Sequence, residues 1–165
     1  MKKLILPLLI LTFFMLNGFS QSSTEIKLYN PMDDAKSEIA KAVQLAKKEG
    51  KHVFLQLGGN WCGWCILFDK KIMANDTLKS AMKKNYVVYH VNYSKENYNK
   101  EVFASLGFPQ RFGFPVFVIL DGDGNRLHTQ NSEYLEEGKG HNTKKTLQFL
   151  KHWSPTAVNA SQYQN

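Results

Sequence analysis

Val53-Phe54-Leu55-Gln56-Leu57-Gly58-Gly59-Asn60-Trp61-Cys62-Gly63-Trp64-Cys65 is the stretch on which the reading of this chain turns. His52 to Leu57 has few polar residues and reads as a strand buried on both faces, in the middle of a sheet. Gly58-Gly59-Asn60 breaks that strand. From Cys65 onward, Ile66, Leu67, Phe68, Ile72 and Met73 suit a helix that ends near Ala74-Asn75. Two cysteines three apart therefore open a helix directly after a buried strand.

These are the only cysteines in the sequence. A structural cross-link stabilises best by closing a long loop of the unfolded chain, and this spacing closes almost none. Redox chemistry suits it better. At a helix start, free N–H groups and the helix dipole stabilise a thiolate, which makes Cys62 the attacking thiol. Cys65 lies one turn in, close enough to resolve the mixed disulfide that Cys62 forms with a substrate. A zinc site needs about four ligands, and His52, His90, His128, His141 and His152 show no ligand spacing. They read as ordinary surface or strand histidines, and no metal is expected. Asp121-Gly122-Asp123-Gly124-Asn125 resembles the start of a calcium loop, but the sixth and twelfth places hold Arg126 and Ser132 instead of Gly and Glu. It reads as a turn.

Working outward, the chain begins with Met1-Lys2-Lys3, an almost wholly apolar run from Leu4 to Leu16, and small residues at Gly18 and Ser20. Charged, apolar and small-residue regions in that order make a secretory signal peptide over residues 1–20. An uncleaved anchor is the alternative, though the run falls short of the roughly 20 residues that a span prefers. Residues 21–24 are a polar lead-in, 25–153 the folded domain and 154–165 a loose tail. Of 165 residues, 43% are hydrophobic and 21% charged, which is globular composition and room for one domain. Without residues 1–20 the formal charge of +7 falls to +5, carried by lysines interleaved with acids. No basic stripe is interleaved with stacking aromatics, so nucleic acid is not an expected partner.

Within the domain, Glu25 to Tyr29 reads as a short strand. Asn30 and Pro31 start a helix whose stripe is Ala35, Ile39, Ala42, Val43 and Ala46, and Gly50 stops it. A short helix capped by Asp76 runs through Lys84. Tyr86 to Asn92 is a strand, Glu96 to Leu106 a helix, and Pro115 to Leu120 a third strong strand. Arg126 to Gln130 returns after the turn, residues 131–141 read as a loop, and Asn142 or Thr143 caps a last helix bearing Leu147, Leu150 and Trp153. This order gives an α/β fold, a mixed sheet covered by helices.

Trp61-Cys62-Gly63-Trp64-Cys65, followed by Gly113-Phe114-Pro115 opening a strand, resembles the thioredoxin superfamily. More narrowly it is similar to exported bacterial thioredoxin-like proteins with a Trp-Cys-Gly-Trp-Cys motif. The resemblance covers about residues 25 to 153 and implies a thioredoxin-like fold, with a central mixed β-sheet flanked by helices. It implies that Trp61 flanks and shields the site, with Gly63 and Trp64 between the cysteines. It also implies that Pro115 is a cis-proline whose loop lies against the disulfide and pairs with substrate, with Phe114 beside substrate. Two departures stand out. Thioredoxins proper carry a buried Asp where this chain has Gln56, and a buried Lys where it has His90; these two read either as unrelated strand polars or as a buried tuning pair joined by a hydrogen bond under the active site. Gly63-Trp64 also stands in place of Gly-Pro.

The expected function is thiol–disulfide exchange with protein or small-molecule thiols in an exported compartment, leaning toward reduction. That compartment is the periplasm if the source is Gram-negative, and otherwise the exterior. The partners implied are disulfide-containing client proteins and a membrane electron donor, with the chain acting as a monomer. No dissociable cofactor is implied, because the cysteine pair is the redox group. The alternative is a chaperone-like peptide-binding module on the same fold, using the Pro115 loop and exposed aromatics.

Overall fold

The computed structural model describes residues 27–164, so the expected leader and lead-in, residues 1–24, lie outside the described residues. β1 (His52–Gly58) is buried along its whole length, as a run with no wet face requires. It pairs in parallel with β2 (Tyr86–Asn92) and antiparallel with β3 (Val116–Leu120). β4 (Arg126–Asn131) pairs antiparallel with β3, giving the order β2-β1-β3-β4. This is the mixed sheet expected.

Alternation along β1 sorts the core into two layers. Val53, Leu55 and Leu57 join Val91, Val116 and Val118 beneath α1 (Ala35–Glu49) and α4 (Lys100–Ser105). Phe54, Phe117 and Ile119 face α2 (Gly63–Ala74), α3 (Asp76–Asn85) and α5 (Thr143–His152). Each fully buried Leu, Val or Phe contributes about 1.5–3 kcal/mol relative to an exposed one. Parallel strands need a crossover, and α2 and α3 supply it between β1 and β2. The start of α2 must therefore lie just beyond the end of β1, where the cysteines are.

The structure corrects several local expectations. α1 begins at Ala35, not at Pro31, because the Asn30 side chain is spent on the Met32 N–H while Asp34 caps the helix by accepting from Ser37 N. Its end is as read: Gly50 has φ 63°, and its N–H reaches the carbonyls of Ala46 and Lys47. Asn75, not Asp76, caps α3 by accepting from Leu78 N at 3.0 Å. No helix forms from Glu96 to Asn99, because amide side chains hold the backbone there. Asn92 Nδ2 donates to Asn97 O (2.9 Å), and Asn99 Nδ2 donates to Asn92 O (2.8 Å).

Lys27 to Tyr29, the described part of the expected first strand, joins no sheet. The Asn60 side chain does for Tyr29 what a neighbouring strand would do. Its Oδ1 accepts from Tyr29 N (3.1 Å) and its Nδ2 donates to Tyr29 O (2.8 Å). Residues 131–141 hold a 3₁₀ turn (Ser132–Leu135) and a minimal hairpin, β5 (Glu136–Glu137) and β6 (Gly140–His141), set against α2. The tail expected to be loose folds back on itself. Ser154 is buried, its Oγ accepts from Ala157 N, and a 3₁₀ turn spans Ala160–Tyr163 with Tyr163 Oη donating to Ala157 O (2.7 Å). The Asp121 carboxylate accepts from the N–H groups of Asp123 and Asn125, which occupies it as a turn requires.

Candidate active site

α2 is pinned to the sheet by Phe68, whose ring centroid lies 4.3 Å from that of Phe117 and 6.2 Å from that of Phe54. The helix start is thereby held above the end of β1, with Cys62 as its N-cap residue. Cys62 Sγ accepts from Cys65 N at 3.1 Å, one of the free donors of the first turn. Cys62 and Cys65 form a disulfide with an S–S distance of 2.03 Å. Cys62 retains 5% exposure and Cys65 none. The outer sulfur is thus the one at the helix cap, and the inner one faces the protein.

Beneath Cys65 the strand must be bare. A Cβ on Gly58 would collide with Cys65 Sγ and fall 2.9 Å from the Tyr29 hydroxyl oxygen. Only glycine lets the sulfur and the phenol approach the strand so closely. Tyr29 is 2% exposed and packs in one cluster with both cysteines, with Leu28, Trp64 and Phe114 around it. Burial pushes the Tyr29 hydroxyl well above its ordinary range, so it stays protonated.

Gln56 and His90 are direct partners across β1 and β2 and so share the face under α2. Among the described residues no hydrogen bond joins the two. Gln56 Nε2 instead donates to Tyr29 Oη (2.9 Å) and to the Cys65 carbonyl (3.1 Å). His90 meets the Tyr29 ring edge-on at 5.4 Å and lies 3.9 Å from Asp69 Oδ1. Burial lowers the His90 pKa below its ordinary value, against the smaller opposing effect of Asp69. The ring is therefore neutral near pH 7, and the contact with Asp69 is polar without being an ion pair.

On the outer side, Trp61 is 60% exposed and its Nε1 donates to Tyr93 O (2.7 Å). Its ring meets Phe114 edge-on at 5.6 Å. The Phe114–Pro115 peptide bond is cis, and Pro115 is buried while Phe114 is half-buried against the cysteine cluster. Gly63 faces open space. Trp64 is half-buried and meets His141 of β6 edge-on at 5.5 Å. The structure thus packs Trp64 and Phe114 against the pair, with Trp61 on the Phe114 ring and Pro115 next to Phe114 in the chain, while Gln56 bonds the Cys65 carbonyl and His90 meets Tyr29 beneath.

Three residues here escaped the sequence reading. Tyr29 sat in an assumed strand, and Asn60 passed as a loop breaker. His141 passed as an ordinary histidine, yet it is 6% exposed, both ring nitrogens lack partners among the described residues, and burial lowers its pKa to about 4. No one-residue signal marks any of them, because their roles depend on long-range contacts. Among the described residues, no group of three or more His, Cys, Asp and Glu is placed to hold a metal ion.

A Cys-x-x-Cys disulfide with its outer sulfur at a helix cap is built for exchange. The thioredoxin-like family matches residues 34–122, more than half of the chain and the whole of the segment from α1 through β3. The chain belongs to the thioredoxin-like family. This thioredoxin-like protein carries a Cys-x-x-Cys pair, Cys62 and Cys65, and is a thiol–disulfide oxidoreductase. Its fold is similar to that of a disulphide isomerase from Xylella fastidiosa Temecula1, with a TM-score of 0.67 and 24% identity over 76% of this chain and 95% of that one. Weaker likenesses are to a DsbH oxidoreductase and to a thioredoxin-fold protein from Helicobacter pylori. The former has TM-score 0.45 and 24% identity over 61% of this chain and 72% of that one. The latter has TM-score 0.48 and 18% identity over 74% and 89%. None of the curated proteins matches the sequence.

Proposed function

We propose that this thioredoxin-like protein reduces disulfides in client proteins outside the cytoplasm, with Cys62 attacking and Cys65 resolving. The observation that carries the assignment of roles is the burial order: Cys62 at the cap keeps 5% exposure, while Cys65 is wholly enclosed over Tyr29. A client sulfur approaching from solvent meets Cys62 first. The reduced pair spends two electrons and two protons on each client disulfide and is left as the disulfide seen here. A membrane-bound thiol donor is the class of partner that restores it. Export is supported by the order of charge, apolar run and small residues over Met1 to Ser20.

The client face comprises Trp61, Phe114 and the Pro115 loop, with exposed Phe108 (57%) and Phe112 (39%) nearby in sequence. A hollow of about 360 Å³ lined by Trp61, Tyr93, Ser94, Lys95, Glu96 and Tyr98 adjoins the site. These exposed aromatics are also what a peptide-binding module without turnover would use. Insulin reduction with a dithiol donor separates the two readings: an oxidoreductase turns over and a binder does not. The reduction potential of Cys62–Cys65 tests direction. A value near roughly −270 mV supports reduction, and one near roughly −120 mV overturns it in favour of oxidation.

A further inference from the structure

Gln56 Nε2 donates to two atoms, the Cys65 carbonyl oxygen at 3.1 Å and the Tyr29 hydroxyl oxygen at 2.9 Å. A carbonyl only accepts, so the end of Gln56 that faces both is its NH₂ group. Tyr29 Oη is therefore an acceptor toward Gln56, and its own hydrogen is left to give. Among the described residues no acceptor for that hydrogen lies within hydrogen-bond range. The hydroxyl oxygen and Cys65 Sγ both crowd the one point over Gly58 where a Cβ would otherwise stand. A disulfide sulfur is a weak acceptor, whereas a thiolate is a strong one.

We propose that Tyr29 donates its hydroxyl hydrogen to Cys65 Sγ once the disulfide opens, stabilising the thiolate that resolves the mixed disulfide. The inference rests on Cys65 being the resolving thiol. In the step concerned, Cys65 gives up its proton and attacks Cys62 Sγ. The Cys62–Cys65 bond forms, the Cys62–client bond breaks, and the client sulfur leaves as a thiolate that takes up a proton. Over the two exchange steps together the protein is oxidised by two electrons and the client disulfide reduced by two; in this step Cys65 sulfur is oxidised and the leaving client sulfur reduced. Tyr29 loses no proton in this step, and its raised pKa keeps it a donor throughout. The phenol thus takes the site under the resolving cysteine with a hydrogen bond where a carboxylate would act as a base. Gln56 on β1 holds it by the oxygen, and Asn60 holds its backbone at both N–H and C=O. The titratable groups facing Tyr29 are His90 of β2 and Asp69 of α2. His90 is already neutral above its lowered pKa, so between about pH 7 and 9 it does not change state.

Tyr29→Phe keeps the ring and removes the hydroxyl. In the reduced full chain, the Cys65 ¹³Cβ resonance followed against pH reports its ionisation without any client. The variant should need higher pH for the same thiolate fraction, with about tenfold less thiolate near neutrality. Resolution of a preformed mixed disulfide should slow by about the same factor, and the deficit should vanish at high pH. An unchanged Cys65 titration in a folded Tyr29→Phe protein would overturn the proposal, even with wild-type exchange intact. Absence of exchange in the wild type, by contrast, would overturn the functional reading alone. If the variant does not fold, the wild-type Tyr29 ¹³Cζ resonance decides. It should shift on reduction of the pair, and an unshifted resonance would contradict the bond.

Discussion

Gln56 and His90 stand directly opposite each other on β1 and β2, and Tyr29 engages both: Gln56 at its hydroxyl (2.9 Å) and His90 edge-on at its ring (5.4 Å). The two strand residues thus meet through a third, Tyr29, which comes from the N-terminal segment. Because Gln56 acts as a donor to both Tyr29 and the Cys65 carbonyl, a carboxylate there is wrong in kind. Gln56→Glu should destabilise the protein by about 2–4 kcal/mol at pH 8. Burial raises the new carboxyl's pKa, so the folded state binds the extra proton and stability is lost as pH rises through that raised value. Denaturant unfolding at pH 5 and pH 8 should therefore show the larger penalty at pH 8. Equal penalties would mean the carboxylate finds water or a cation.

Asn60 is the clamp on that N-terminal segment. Asn60→Ala removes both bonds to the Tyr29 backbone and should cost about 1–3 kcal/mol, with faster amide exchange at Tyr29. Asn60→Asp keeps the acceptor for Tyr29 N and loses only the donor to Tyr29 O. It should protect the Tyr29 amide better than the alanine variant does. Indistinguishable exchange in the two variants would show that the side chain does not hold the segment.

His141 makes stability depend on acid. Its folded pKa of about 4 lies below the ordinary 6.5, so the unfolded chain holds the extra proton between those values. Stability is fully present above about pH 6.5 and declines as pH falls toward 4, by on the order of 1–3 kcal/mol from this residue. Protonation would place a cation among Trp64 and Phe68, with Lys71 adding repulsion. His141→Phe should flatten the decline, leaving the smaller part due to His90, which has the same sign. An unchanged slope in unfolding measurements between pH 4 and 7 would contradict this.

The strand–turn–helix from His52 to Ala74 was legible because burial on both faces and the helical spacing of Phe68 and Ile72 are local patterns. The cysteine pair and its place at a helix cap followed from the same stretch. What lay under the pair was not legible. Tyr29 reaches Cys65 only through an irregular segment held by Asn60, and nothing local distinguishes that segment from a strand. The Gln56–His90 pairing was right in register and wrong in chemistry: strand alternation fixes which face a residue takes, while the bond is decided by a third side chain. His141 was missed for a related reason, since its burial comes from the packing of a two-residue strand against α2.

The most direct test of the account is which cysteine holds a client. Cys65→Ser leaves Cys62 free to attack and removes the group that releases the product, so mixed disulfides should accumulate on Cys62. Cys62→Ser leaves only the enclosed Cys65 and should trap few. Mass spectrometry of each variant after incubation with a disulfide-containing protein reads the result. Abundant Cys62-linked adducts in Cys65→Ser alone are predicted; adducts mainly through Cys65, or none in either variant, would contradict the central claim.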